Sequence, residues 1–366
     1  MNVKTKPVMQ LYNELPRPTF RTIKVNNLEL EPLPERPSGR YTPQHQREGD
    51  ISLYFYQGNG MPDLGEFQGA NAEALERALR HADKGCAIEA EAGAKGTARL
   101  VYEVNDDHPT LNRQLRITAG AGSDVTVYLV FEGGAAGGEV NFLHYIRAEA
   151  GAHVKIVKVQ LHEGNVRHIE HRYAETAEGS SVEYVSAELG AKEAVVYYKT
   201  DLLYDESSFD SKSLYLGKDK QIVDFSYWIP MQGKKTKADV AIAGALQDEA
   251  KKAFRGTIDF LRGSKKAVGS EADTCILLSP KVHSISVPLL LCKEDDVVGN
   301  HASSAGQIDE DTLFYLMSRG FDYQGAQAII VESHIRPVVD ALGDGALTER
   351  VLQTVRERMN SPRIER

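Results

Sequence analysis

The stretches GSDV at 122–125, GAHV at 151–154 and GSSV at 179–182 share the form G-x-x-V, and each opens a run rich in β-branched and aromatic residues. They begin 29 and 28 residues apart. Further strand starts near Val140 and Val166 divide these intervals, and a spacing close to 14 residues continues for about 150 residues. A sustained period of this kind indicates one β-stranded unit stacked on its copies, because a single unit cannot bury its own apolar face.

The repeat predicts a mainly β protein built as a β-helix, or β-solenoid, with two strands per coil. A sandwich of two β-sheets is the second choice. A β-propeller is disfavoured, because it needs four strands in each repeat of about 40–45 residues together with its own blade motif, and the sequence has no such motif.

The segment before the repeat has a different composition. Eight of the 14 prolines lie in the first 62 residues, where their fixed φ angle and missing amide donor favour an irregular arm. The pattern NAEALERALRHADK at 71–84 predicts one amphipathic helix, with Gly85 as its C-cap.

The segment after the repeat changes its apolar period from 2 to 3.6 residues at Ile308. This predicts a helix that begins at the N-cap Asp309 and ends at Gly320, a second helix from 323 to about 333, and a third from 348 onward. The predicted divisions are an N-terminal arm and helical region at 1–90, a β-helix core at 91–307 and a C-terminal helical region at 308–366.

Charge and composition exclude several classes of protein. The 366 residues include 43 basic and 52 acidic side chains, for a net charge of -9, which disfavours nucleic acid as a partner because its binding depends on phosphate neutralisation. No secretory signal and no apolar run of about 18 residues is present, which predicts no membrane span and a cytoplasmic location. Three widely spaced cysteines without a C-x-x-C pair predict reduced thiols.

Two polar clusters invite a metal site, and each has a simpler interpretation. His162, His168 and His171 lie close in sequence, but alternation along a strand places the last two on opposite faces, which favours structural or solvent-exposed roles. The acidic triplet at 294–296 is more typical of a solvated turn. Nucleotide-binding and hydrolase motifs are absent, which predicts that the chain is not an enzyme.

The segment LLCKEDDVVGNHASSAGQIDEDTLFYLMSRG at 290–320 combines Cys292 and His301 where the repeat ends and the helices begin. Thiolate and imidazole are side chains that suit iron or an iron-sulfur cluster. With FRGTIDF and EADTCILLSPK upstream, this segment resembles the SufB/SufD family of iron-sulfur cluster assembly proteins, and the SufD branch most closely. The resemblance covers about residues 90–335.

The resemblance implies a right-handed parallel β-helix flanked by helical regions. It also implies a scaffold subunit that pairs with SufB through the late part of the β-helix and docks the ATPase SufC through its C-terminal helices. His301 falls on the family's interface histidine, which makes it the leading cluster-assembly residue and a tentative metal ligand. The residues that correspond to ATPase docking are Asp309, Leu313, Phe314, Tyr315, Arg319 and Gly320.

Departures from the SufB pattern support the SufD branch. Ala302 stands where SufB has Glu, and Val282 stands near the position of a SufB cysteine. Some SufD proteins have a Cys at the position of Gly299, and Cys292 is expected to be buried. The chain alone is therefore expected to hold no stable cluster, and a nascent cluster would be shared with SufB; flavin binding is left open.

Three further expectations concern partners and rival functions. A self-pairing sheet edge makes a homodimer plausible when the chain is alone. Within the family, the rival is a SufB-like scaffold that acts without a distinct partner. Outside it, the rival is a β-helix lyase that cleaves acidic polysaccharides with Ca²⁺ and carboxylates.

Overall fold

The computed structural model describes residues 8–19, 22–33, 41–57 and 60–360. These residues form twenty strands and four helices. The strands are β1 Gln10–Tyr12, β2 Leu28–Leu30, β3 Gln44–Gly49, β4 Ile51–Tyr56, β5 Lys84–Ala90, β6 Lys95–Val104, β7 Thr110–Ala119, β8 Asp124–Ala135, β9 Glu139–Ala148, β10 His153–Gly164, β11 Arg167–Thr176, β12 Ser181–Glu188, β13 Glu193–Asp201, β14 Ser208–Gly217, β15 Ile222–Met231, β16 Lys237–Leu246, β17 Lys251–Phe260, β18 Ala267–Leu277, β19 His283–Cys292 and β20 Val297–Gly306. The helices are α1 Ala72–Arg80, α2 Glu310–Ser318, α3 Tyr323–Ala341 and α4 Gly345–Asn360.

Two nine-stranded sheets form the body of the protein. The even sheet runs in the order β20-β18-β16-β14-β12-β10-β8-β6-β3, and the odd sheet runs in the order β19-β17-β15-β13-β11-β9-β7-β5-β4. From β5 to β20 the chain alternates between the two sheets, and neighbouring strands within each sheet are parallel. This is the predicted parallel β-solenoid, and its parallel pairing argues against the sandwich alternative.

The sequence period corresponds to one full coil. Val125, Val154 and Val182, the last residues of the three G-x-x-V stretches, are successive Cα partners in the even sheet. Gly122 and Gly151, which open the first two stretches, have φ angles of +66° and +68°. Glycine is favoured there because a side chain makes this backbone conformation costly.

The space between the sheets is filled mainly by apolar side chains that face inward at every second position. Aromatic rings stack from one coil to the next: the ring centroids of Tyr102 and Phe131 are 5.2 Å apart, and those of Tyr198 and Tyr227 are 4.1 Å apart. A solenoid core of this kind is continuous, so each coil is stabilised by the two coils beside it.

Different segments cover the outer faces of the two sheets. Helices α3 and α4 pack on the even sheet and bury an apolar cluster that includes Val157, Val331 and Val351. Helix α1 and the N-terminal arm pack on the odd sheet, where Tyr12 and Leu30 join a second apolar cluster. Among the described residues, none of these helices combines the length and the apolar character that crossing a bilayer requires.

The two ends of the solenoid differ. At the first end, β3 and β4 pair antiparallel with β6 and β5 and so extend the two sheets. Strands β3, β4 and β5 precede residue 91, so the sheets begin earlier than the predicted division. At the other end, β19 and β20 are the terminal strands of their sheets.

The helix boundaries differ from the predicted ones in three places. Helix α1 ends at Arg80 with His81 as its C-cap, and Gly85 lies in β5 instead, because the chain turns directly into the odd sheet. Helix α3 continues past Pro337 to Ala341, since Val338 and Val339 are buried and tertiary packing outweighs the lost backbone hydrogen bond. Helix α4 begins at 345, three residues before the predicted start.

Candidate functional site

The end of the solenoid formed by β19 and β20 is open. Each of these strands pairs on one side only, β19 with β17 and β20 with β18. Every residue of β20 after Val297 is exposed. Unpaired backbone groups on an edge strand can pair with a strand of another chain.

His301 lies in the middle of β20, and its direction follows from its neighbours. A side chain on Gly299 would meet Leu290 and Phe260, which lie between the two sheets. Because side chains alternate along a strand, His301 points to the same interior side as Gly299. No further coil covers this level among the described residues, and the imidazole is therefore exposed at the rim.

Glu271 lies one coil below His301 and is its Cα partner in β18. Its side chain faces the interior, where Oε1 lies beside Gly256 of β17. The residue is 2% exposed, and neither carboxyl oxygen has a hydrogen-bond partner. Burial raises the pKa of this carboxyl group to about 8. The sequence analysis did not single out Glu271, although the alternation of EADTCILL places it on the inner face.

Asp273, two residues further along β18, is also buried but is not comparable. Its carboxylate accepts a hydrogen bond from the Lys252 ammonium group, which is buried as well. Charge neutralisation of this kind is the usual way to bury a carboxylate. Glu271 therefore differs from Asp273 in having no such partner.

The predicted docking residues lie on or next to α2. Asp309 is the N-cap, as predicted, and accepts hydrogen bonds from the Thr312 hydroxyl and amide groups, which lower its pKa. Gly320 follows the C-cap Arg319 with a φ of +99°. These residues lie on the element after β20 rather than in one cluster with His301.

The apolar side chains of α2 face outward. The helix buries none of its residues and packs beside α3. Phe314 is 74% exposed and Tyr315 is 55% exposed, with the Arg319 guanidinium group 5.2 Å from the Tyr315 ring centroid. Leu313 is half-buried. An uncovered apolar face on a short helix is typical of an interaction surface.

The cysteines do not all lie where they were expected. Cys86 and Cys275 are buried, and burial raises the pKa of the Cys86 thiol to about 12. The expectation that Cys292 is buried is wrong: it is exposed at the end of β19, because β19 has no neighbour on its outer side. In the part of the chain that the structure describes, no group of three His, Cys, Asp or Glu side chains could hold a metal ion.

The histidines of β10 and β11 are structural. His168 faces the solenoid interior, while the His171 ring accepts a hydrogen bond from the Ala70 amide on the outside, so the predicted opposite faces are confirmed. All three of the predicted histidines are buried, and the solvent-exposed alternative is wrong. The His162 and His168 rings contact each other at 2.9 Å, because parallel coils place inward positions of different strands side by side.

The acidic triplet forms an exposed turn between β19 and β20, as predicted. Within this turn, Glu294 accepts a hydrogen bond from the Gly263 amide of the preceding coil. That bond lowers the pKa of Glu294. The triplet therefore joins successive turns and does not enclose a site.

Comparison with known proteins identifies the family. The family model described as "SUF system FeS cluster assembly, SufBD core domain" matches residues 102–334, which is more than half of the chain. The iron-sulfur cluster assembly protein SufD of Bacillus subtilis (strain 168) is 26% identical over 199 residues, which are 54% of this chain and 46% of that protein. SufD of Escherichia coli (strain K12) is 24% identical over 214 residues, which are 58% of this chain and 51% of that protein.

The chain thus spans about half the length of the curated relatives that it matches. The matched region includes the whole solenoid from β7 to β20 and the first part of α3. It also includes His301, Glu271 and α2. The chain belongs to the SufB/SufD family of iron-sulfur cluster assembly proteins, in its SufD branch.

Proposed function

We propose that this chain is a non-enzymatic scaffold subunit of a cytoplasmic SufBCD complex that assembles iron-sulfur clusters. In this complex the open end of the solenoid pairs with a SufB-like subunit, and the outward face of α2 docks a SufC-like ATPase. The nascent cluster is the product of the complex and is shared with the SufB-like subunit. Family membership and the names of the SufD relatives support this role.

The observation that carries the proposal is the uncovered end with His301 at its rim. A second solenoid that added its own edge strands to β19 and β20 would continue both sheets and cover the imidazole. A neutral imidazole is a good ligand for iron. The partner would have to supply the remaining ligands, since the described residues hold no three-ligand cluster.

The role of His301 is tested with His301→Ala in cells that co-express the three subunits. We expect cluster formation to fall at least about tenfold because a ligand is lost, while the subunits still co-purify. The measurement is iron and sulfide content with the visible absorption spectrum. His283→Ala, an exposed histidine on the other edge strand, is the matched control and should behave as the wild type. Unchanged cluster formation in His301→Ala would remove its proposed role.

Docking of the ATPase is tested with Phe314→Asp. Because α2 buries none of its residues, the variant should fold normally but bind the ATPase more than about tenfold more weakly, as expected for an aromatic anchor. The measurement is titration calorimetry with the purified ATPase. Tyr204→Asp changes another exposed aromatic side chain and serves as the control. Equal affinity in both variants would contradict docking through α2.

One observation favours the SufB-like alternative. Cys292 is exposed on the same open end as His301, so a thiolate and an imidazole are both available there. Anaerobic reconstitution of the isolated chain with iron and sulfide distinguishes the two functions. A stoichiometric cluster that is lost in Cys292→Ala would favour the SufB-like scaffold, whereas a chain that holds no cluster alone fits the shared site.

A further inference from the structure

Glu271 is the unusual residue at the open end. A carboxyl group removed from water normally has a charged or hydrogen-bonding partner, because burial without one is costly. Asp273 on the same strand satisfies this rule through Lys252, and Glu271 does not. The position of Glu271 therefore needs an explanation other than packing.

The neighbour of Glu271 in the next coil is the imidazole of His301. The two residues are Cα partners in adjacent parallel strands, so their Cα atoms are about 4.8 Å apart, the spacing of strands in a sheet. Both side chains belong to the inward-facing set. The space above them is not covered by another coil, so a small ion can enter from the rim.

The two groups together have the chemistry of a metal site. Imidazole nitrogen and carboxylate oxygen are both ligands of ferrous iron, and the combination recurs in non-haem iron proteins with open coordination positions. A carboxylate that has no protein partner is free to bind an ion without breaking an existing hydrogen bond.

We propose that Glu271 and His301 form a half-site for ferrous iron at the open end of the solenoid, with the remaining ligands coming from water or from the covering subunit. This inference rests on the proposed function and adds a second residue, one coil below the edge strand, to its site. Glu271 contributes a carboxylate oxygen, and His301 contributes a ring nitrogen. Iron is the cargo here and not a resident cofactor.

The test is ferrous iron binding to the isolated full-length chain by anaerobic equilibrium dialysis, with ferrous iron alone as the probe. We expect the wild type to bind one ion per chain. Glu271→Gln and His301→Ala should each weaken binding at least about tenfold, as expected when a ligand is removed. The double variant should bind no more weakly than the worse single variant, because both residues serve one ion.

The controls separate this site from the nearby acidic turn and from misfolding. Asp295→Asn combined with Asp296→Asn removes two carboxylates of the exposed turn and should leave binding unchanged. Glu271→Gln should unfold at a denaturant concentration at least as high as the wild type, because a neutral amide replaces a buried acid.

Three outcomes would overturn the half-site: no stoichiometric binding by the wild type, unchanged binding in Glu271→Gln, or loss of binding only in the turn variant. These results are distinguishable from failure of the proposed function. That function fails if the chain does not co-purify with the other subunits, which is measured without iron. Normal assembly of the complex together with unchanged iron binding in Glu271→Gln would remove the half-site alone.

Discussion

Replacing Glu170 with alanine is expected to lower the free energy of unfolding by about 3–5 kcal/mol, the range found when one member of a buried ion-pair network is removed. Glu170 lies inside the solenoid and is fully buried. Its carboxylate oxygens are 2.6 Å from the Lys158 ammonium group and 2.7 Å from the Arg172 guanidinium group. The rings of His168 and His144 lie 2.6 and 3.0 Å from the same carboxylate.

The charges in this cluster explain the size of the effect. Burial lowers the pKa of both His168 and His144 to about 4, so these rings are neutral at pH 7. The cluster then holds two cations, Lys158 and Arg172, against Glu170 and Glu188. Removal of Glu170 leaves two buried cations with one carboxylate.

The pKa of Glu170 gives the prediction a pH dependence. Burial alone would raise the pKa of this carboxyl group, but Arg172 and Lys158 outweigh it and hold the pKa well below the ordinary value of 4.5. A lowered folded pKa means that the stabilisation is complete above about pH 4.5 and is lost as the pH falls through the folded value. The difference between wild type and Glu170→Ala should therefore narrow in acid.

Urea denaturation followed by Trp228 fluorescence measures this effect. Glu183→Ala removes a half-exposed carboxylate that pairs with Lys155 on the outer face, and it should cost no more than about 1 kcal/mol. Adding Arg172→Met to Glu170→Ala should recover part of the loss, since it removes the uncompensated cation. A midpoint for Glu170→Ala equal to that of Glu183→Ala would contradict the network's role.

Arg255→Ala is expected to release the N-terminal arm from the odd sheet and to cost about 3–5 kcal/mol, because it leaves a buried carboxylate without its cation. The Arg255 guanidinium group donates to both carboxylate oxygens of Asp224 at 2.6 and 2.8 Å. It also donates to the backbone carbonyl groups of Val25 and Asn27 in the arm, at 2.7 and 2.9 Å. One buried side chain thus joins the arm to two coils.

Hydrogen exchange and limited trypsin digestion of the arm measure its release. In Arg255→Ala, amides in the segment 22–33 should exchange faster, and cleavage after Lys24 should accelerate. Asp210→Ala removes a partly exposed ion pair with Lys212 on the even sheet and should leave both measurements unchanged. Exchange at the wild-type rate in Arg255→Ala would show that the apolar contacts of Leu15 and Val25 hold the arm alone.

Much of the architecture followed from local sequence patterns. Val125, Val154 and Val182 stack as Cα partners because a repeated length of chain returns each coil to the same register. The N-cap at Asp309 was predictable because a cap depends on residues three apart. Pro337 misled the helix prediction because the burial of its neighbours, which keeps α3 intact, comes from the distant even sheet.

The candidate site was predictable only in part. His301 and the α2 residues were identified through a resemblance of local motifs, and the open end gives them a common setting. Glu271 carries no motif of its own, and its missing partner is visible only when the strands are stacked. The same holds for Lys158 and Glu188, which lie 30 residues apart in sequence and 2.6 Å apart in space.

The amino-acid sequence by itself determined the coil length, the alternation of inward and outward side chains and the helical character of the C-terminal region, because each depends on residues that are near one another along the chain. Only the tertiary structure decided which inward side chains are neighbours, which buried charges are paired and which end of the solenoid stays open. These properties arise between coils about 28 residues apart, where strand register rather than sequence proximity sets the distances.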